Sequence, residues 1–235
     1  MKVNCVWEHN GADSLLYAVE LPGAYSRGEN VSVALSKMPA EICSYLRWLG
    51  EAVPDQISID IVQDVDCDLQ ICDADSDVLF AAEERALTMN EYLELKALAL
   101  RSAADFLALY HSIPNNDRGD GPIRRTFYGQ VPRTANQMYD HTRNVNAYYF
   151  AEINVESDNN DTILDCRRRG FDRLESTPNF LDNLMTEGSY GERWTLRKVL
   201  RRFIWHDRIH ARAMYRMAVR VFGRDIIPNI FCFDR

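Results

Sequence analysis

The sequence predicts an α+β chain in two parts: a small N-terminal unit of ββαβ type, then four helices. Three observations predict it. Short β-branched and aromatic runs broken by turn residues fill the first 64 positions. Apolar spacing of three and four residues takes over after about residue 88. Between them lies a stretch dense in carboxylates and poor in apolar periodicity. The expected boundaries are 1–64, an acidic linker over 65–87, and a helical domain over 88–235.

Residues 2–9 and 15–21 read as strands separated by the turn Asn10-Gly11-Ala12-Asp13, and Pro22-Gly23 stops the second. Asn30 is placed to cap a helix that runs to Leu49, where Gly50 ends it. Pro39 is expected to kink or divide that helix. Residues 57–63 alternate again and read as a returning strand. Asp64, Asp66, Asp68, Asp73, Asp75 and Asp77 resemble a calcium loop only in spacing. The central glycine and the closing glutamate are missing, so the run reads as a solvated linker.

Thr88 or Asn90 caps the next helix, which extends to about His111. A long loop continues to Pro132. The second helix of this part covers about 134–152, and the third about 162–185 with an interruption expected near Gly170 or Pro178. The fourth runs from the cap Thr195 to Phe222, with Gly223 as its stop. Four helices of this length suit a bundle.

Charge divides the chain in the same place. The net charge is −8 over 235 residues, but residues 1–90 hold 16 acidic and 5 basic side chains, a net of −11. The remainder holds 19 acidic and 22 basic, a net of +3. An acidic first part argues against phosphate-directed nucleic-acid binding there. No apolar run approaches the roughly 20 residues that span a bilayer. The first nine residues lack the apolar core of a secretion signal, so cytoplasmic residence is expected. Cys5, Cys43, Cys67, Cys72, Cys166 and Cys232 are scattered without a C-x-x-C pair and are expected to be reduced.

The chemistry concentrates in the last helix, at His206-Asp207-Arg208-Ile209-His210. Residues four apart lie on one helix face. Val199, Phe203, Met214, Met217 and Val221 share the direction of the two histidines, whereas Arg208 and Arg212 fall on the opposite side and are expected at the surface. Two imidazoles on an apolar stripe cost on the order of 1–3 kcal/mol for each polar group left unsatisfied. A divalent cation resolves this by binding neutral imidazole nitrogen. His141 is the expected third ligand, because Met138, His141, Val145 and Tyr148 follow the spacing of an inward face. Three histidines leave a position for water or substrate. The alternative is that each histidine is satisfied by its own neighbour. The pattern is not H-E-x-x-H, so a zinc-protease reading is poor. His9 has no indicated role, and His111 complements a helix dipole. Tyr139, Tyr148, Tyr149 and Tyr215 are expected mainly to pack, Arg202 is a further candidate for anion binding, and no catalytic residue is assigned.

Tyr139-Asp140-His141-Thr142, the helix start Trp194-Thr195 and Trp205-His206-Asp207-Arg208-Ile209-His210 together resemble the DinB-like superfamily over residues 88–223. The resemblance implies an up-down-down-up four-helix bundle with a three-histidine site for a divalent metal, often zinc or nickel. Some members of that superfamily are transferases or isomerases that use low-molecular-weight thiols. Leu21-Pro22-Gly23-Ala24-Tyr25-Ser26-Arg27-Gly28-Glu29-Asn30, with Ala34 and Trp48, is similar to the HicB-like antitoxin fold, although Ala24 stands where that family has cysteine. This implies a fold for the first part and not an antitoxin role.

Two functions stay open at this level. One is a metal-dependent transferase or hydrolase acting on a small-molecule thiol or electrophile. The other is a non-catalytic, metal-stabilised bundle joined to an acidic protein-interaction module. No nucleic acid and no membrane is expected as a partner, and a homodimer is admitted.

Overall fold

In the computed structural model, which describes residues 1–122, 124–126 and 129–234, the chain is mixed α+β. It divides into two compact units, residues 1–84 with 231–234 and residues 85–230.

The first unit has strands β1 (Lys2–Asn10), β2 (Asp13–Ala18) and β3 (Tyr25–Gly28), helix α1 (Val31–Leu49) and strand β4 (Ser58–Asp66). The sheet order is β3-β2-β1-β4, with β4 parallel to β1 and the other pairs antiparallel. Gly11, at φ +56°, turns β1 into β2. The third strand corrects the expected ββαβ order. β2 ends at Ala18 rather than Leu21, and after six intervening residues the chain pairs again through Tyr17↔Tyr25. So short a strand, with serine, arginine and glycine among its four residues, carries no alternating apolar signal. Gly28, its last residue, lets the chain pass close to the start of α1, since a Cβ there would sit 2.5 Å from the Ala34 backbone nitrogen.

Helix α1 has the expected ends: Asn30 Oδ1 accepts from the Val33 N–H at 3.0 Å, and Gly50 closes it in the left-handed region. Pro39 does not divide it; the helix is continuous through that residue, which is only half-buried. The expected linker is also corrected. β4 extends to Asp66, and Ile71, Val78, Leu79 and Phe80 are buried. Glu8, fully buried on β1, accepts the backbone N–H groups of Asp77 and Val78. Gln63 on β4 donates to Leu79 O and accepts from Ala81 N. Those bonds fix the acidic segment to the sheet. The C-terminal end returns to this unit as well, with Phe231 stacked on Trp48 at 5.4 Å.

The second unit contains α2 (Met89–His111), a β5–β6 ribbon (Arg125–Thr126, Gly129–Gln130), α3 (Ala135–Ala151), α4 (Ile163–Glu175), a β7–β8 ribbon (Thr186–Glu187, Arg193–Trp194) and α5 (Leu196–Phe222). Each of the four helices is capped by a threonine hydroxyl, from Thr88, Thr134, Thr162 and Thr195, that accepts a backbone N–H of its first turn. α4 ends at Glu175, ten residues before the expected Met185, with Pro178 just beyond. Gly170 does not interrupt it. A Cβ at that position would lie 2.0 Å from the Phe150 ring, so the glycine serves close packing of α4 on α3.

Helix directions follow from paired contacts. Glu91 meets Arg197 and Ser102 meets Asp207, so α2 and α5 run together. Tyr139 meets Ile163, and Phe150 meets Phe171, so α3 and α4 run together. Tyr92 bonds Glu175 while Ala99 O accepts from Arg167, which sets α2 against α4. Tyr149 packs on Phe203 and His141 on His210, which sets α3 against α5.

Every residue of α5 from Leu196 to Arg208 is buried. Arg208 is 0% exposed, against the surface position expected for it, and Arg212 is half-buried. A helical wheel gives the direction of a side chain but not what occupies that direction, and here both sides of the helix are covered. No helix among the described residues is long and apolar enough to cross a membrane. All six cysteines are unbridged.

Candidate metal centre

His141 stands on the second turn of α3, and His206 and His210 lie one turn apart on α5. Because these two helices are adjacent and antiparallel, the three rings converge. Their centroids are 5.1 Å (141–206), 4.6 Å (141–210) and 4.4 Å (206–210) apart. One nitrogen from each lies within 4.8 Å of the other two. Ligands at about 2.1 Å in tetrahedral geometry would sit about 3.4 Å apart, a spacing that small rotations of the side chains can reach.

Burial is graded across the trio. His206 is 8% exposed, His210 is half-buried and His141 is exposed. The expected inward stripe on α3 is therefore corrected: its buried residues are Ala135, Met138, Tyr139, Thr142, Asn146, Tyr149 and Phe150, and His141 sits at the margin of that face. The site opens on the His141 side. There Gln130, Pro132, Gln137, Asp140 and His141 line a cleft of about 370 Å³. On the inner side, the Tyr149 ring meets His206 edge-on at 6.0 Å and also packs against Phe203 and Trp194.

The surroundings disfavour protonation of all three imidazoles. Burial pushes His206 well below its ordinary value, and the neighbouring His210 and His141 add to the effect. Burial, followed by His141, lowers His210 to about 3, and partial desolvation of its ring by the groups packed around it lowers His141 although the residue is exposed. A neutral imidazole has a lone pair to offer a cation. His206 Nδ1 is buried and has no hydrogen-bond partner within the protein. That orphaned atom and the neutral ligand set fit a divalent cation.

The remaining candidates have other contacts. His9 stacks on Trp7 at 4.2 Å and contacts Asp64 and Asp66 in the first unit. His111 is the basic residue of the last turn of α2. The Tyr139 hydroxyl accepts from the Ile163 N–H. Arg202 is buried, with its guanidinium 4.6 Å from the centre of the Trp205 ring.

Sequence reasoning missed the polar network behind His206. Asp207 is fully buried, and its carboxylate takes two bonds from Arg167 and one from Ser102 at 2.7 Å. One signal pointed to it: Asp207 is the only acidic residue in the 27 positions of α5, amid eight basic ones.

Fold and site together define the class: a mixed α+β chain whose helical unit brings three histidines close enough to bind a metal. No family model, curated protein or solved structure matches the chain.

Proposed function

We propose that residues 85–230 are a DinB-like four-helix bundle that binds a divalent cation, zinc or nickel, through His141, His206 and His210, and that the loaded site catalyses a transfer or hydrolysis. The helix directions support the bundle reading, since up for α2, down for α3 and α4, and up for α5 is the order that the DinB-like resemblance implies. The observation that carries the proposal is the convergence of three neutral imidazoles from two helices on a point open to solvent from one side.

A bound cation there supplies Lewis acidity, which makes a nucleophile available at neutral pH. The chain's own residues set the conditions. Loss of hydration disfavours protonation of His206 and His210, with the neighbouring imidazoles adding to the effect, so both keep a lone pair for a cation below pH 7. Tyr149, Phe203 and Trp194 exclude water from the inner side. The cleft beside His141 admits a small molecule, with the Asp140 carboxylate and the Gln137 amide on its wall. A small thiol or a small electrophile fits that access. The first unit is read as a HicB-like module, on the Leu21–Asn30 segment that leads through β3 into the cap of α1.

One observation favours the non-catalytic reading. Asp207, which follows His206 directly in the sequence, is engaged by Arg167 and Ser102 and not by the ligands, which leaves Asp140 as the one carboxylate of the cleft wall among the described residues. Metal analysis of the purified protein, followed by thiol addition to the cobalt(II)-substituted form, tests both readings. About one metal per chain and a thiol-induced change in the cobalt spectrum are expected. Bound metal with a thiol-insensitive spectrum supports the structural role, and absence of metal contradicts the site.

A further inference from the structure

Among the described residues, Arg167 on α4 reaches each of the other three helices of its unit through hydrogen bonds. Nη1 donates to Ala99 O on α2 at 3.0 Å, Nε donates to Asn146 Oδ1 on α3 at 2.9 Å, and Nη2 donates to Asp207 Oδ1 on α5 at 3.0 Å. A further bond joins Nη1 to Asp207 Oδ2. The guanidinium carbon lies 4.2 Å from the centre of the Phe203 ring, one turn before His206. Arg167, Asp207, Asn146 and Ser102 are all fully buried.

A buried ion pair is weak evidence for stability, because removing both charges from water offsets their attraction. Apolar side chains of similar size would hold the helices together as well. What they would not supply is direction. Asp207 and His206 are consecutive on α5 and point about 100° apart. Fixing the Asp207 carboxylate against α4 and α2 therefore fixes the turn of α5 that directs His206 and His210 toward α3. On the other side, Asn146 lies five residues beyond His141. The bond from Arg167 Nε to Asn146 sets the position of α3, while the two Nη atoms set that of α5. A planar fork with fixed donor angles holds both at once.

We infer that Arg167, acting with Asp207 and Asn146, is a positioning residue for the metal centre, and that it sets the separation and rotation of the two helices that carry the ligands. The inference rests on the metal site proposed above. Partners of metal ligands typically change metal affinity by 10–100-fold when replaced. This clamp acts on the helices rather than on an imidazole directly, and its effect belongs at the lower end of that range.

The double variant Arg167→Met/Asp207→Leu removes both charges, so no unpaired charge is left inside. It is expected to unfold cooperatively like the parent, yet to bind zinc about tenfold more weakly in competition with a chromophoric chelator. Its cobalt(II) spectrum should also be altered. A second variant, Asn146→Ala, leaves the ion pair in place and loosens only the α3 end. It is expected to weaken zinc about threefold or more, and it keeps the test informative should the double variant not fold. Parent-like zinc affinity and cobalt spectrum in a folded variant of either kind overturn the inference while leaving the metal site standing. Equal zinc binding by the parent and by His206→Ala overturns both.

Discussion

At the scale of single residues, the account depends on imidazoles whose protonation is suppressed by their surroundings. His210, lowered to about 3, gives the clearest consequence. In the unfolded chain the same histidine titrates near 6.5, so below that pH the unfolded state takes up a proton that the folded state refuses. Stability of the metal-free protein therefore falls as pH drops through 6.5, and it continues to fall toward 3. Thermal melts between pH 7.5 and 5 should show this slope, and His210→Leu should flatten it. Identical slopes in the two proteins would contradict the suppressed protonation of His210. The pair at 206 and 210 was legible in the sequence because helical periodicity places residues four apart on one face. His141 followed from the small number of histidines and its place in a helix. The grading from buried His206 to exposed His141 was not legible, since it depends on where α3 begins and which residues precede it. Arg167 was hidden for a related reason: its partner is 40 residues away, and nothing local to α4 indicates a buried cation.

At the scale of elements, threonine caps made the helix starts readable, and the stops at Gly50 and Gly223 were equally plain. Thr195→Ala should cost about 1 kcal/mol of stability through loss of the bond to the Lys198 N–H, measurable by denaturant unfolding. A stability equal to the parent's would mean that the cap contributes nothing to α5. Gly170 shows where local rules mislead. Glycine in a helix interior ordinarily lowers stability relative to alanine, and an interruption was expected there. The Phe150 ring occupies the space a Cβ would need, so Gly170→Ala should destabilise by about 1–3 kcal/mol despite its better helix propensity. A stabilising effect would show that the two helices are not so closely packed. Strand β3 and the segment after β4 were missed for the opposite reason. Their order comes from distant partners, Tyr17 in one case and Glu8 and Gln63 in the other, and composition alone reads as loop.

At the scale of the whole molecule, the charge division seen in sequence matches a physical division into an acidic α+β unit and a helical unit. The acidic first unit retains little attraction for a polyanion, in line with the absence of a nucleic-acid partner from the proposal. The cation would bridge α3 and α5, so loading should stabilise the helical unit by mass action. At a free metal concentration about 100-fold above the dissociation constant, the gain is about 2.7 kcal/mol. Zinc addition should raise the melting temperature of the parent, and chelation should reverse the rise. Absence of any shift would contradict binding of the cation to the folded protein.

The most direct test is metal stoichiometry in the parent and in His206→Ala, measured on folded protein after equilibration with equimolar zinc and removal of free ion. The account predicts about one zinc per chain in the parent and almost none in the variant, with the variant still helical by circular dichroism. Equal zinc in both proteins, or none in either, would contradict it.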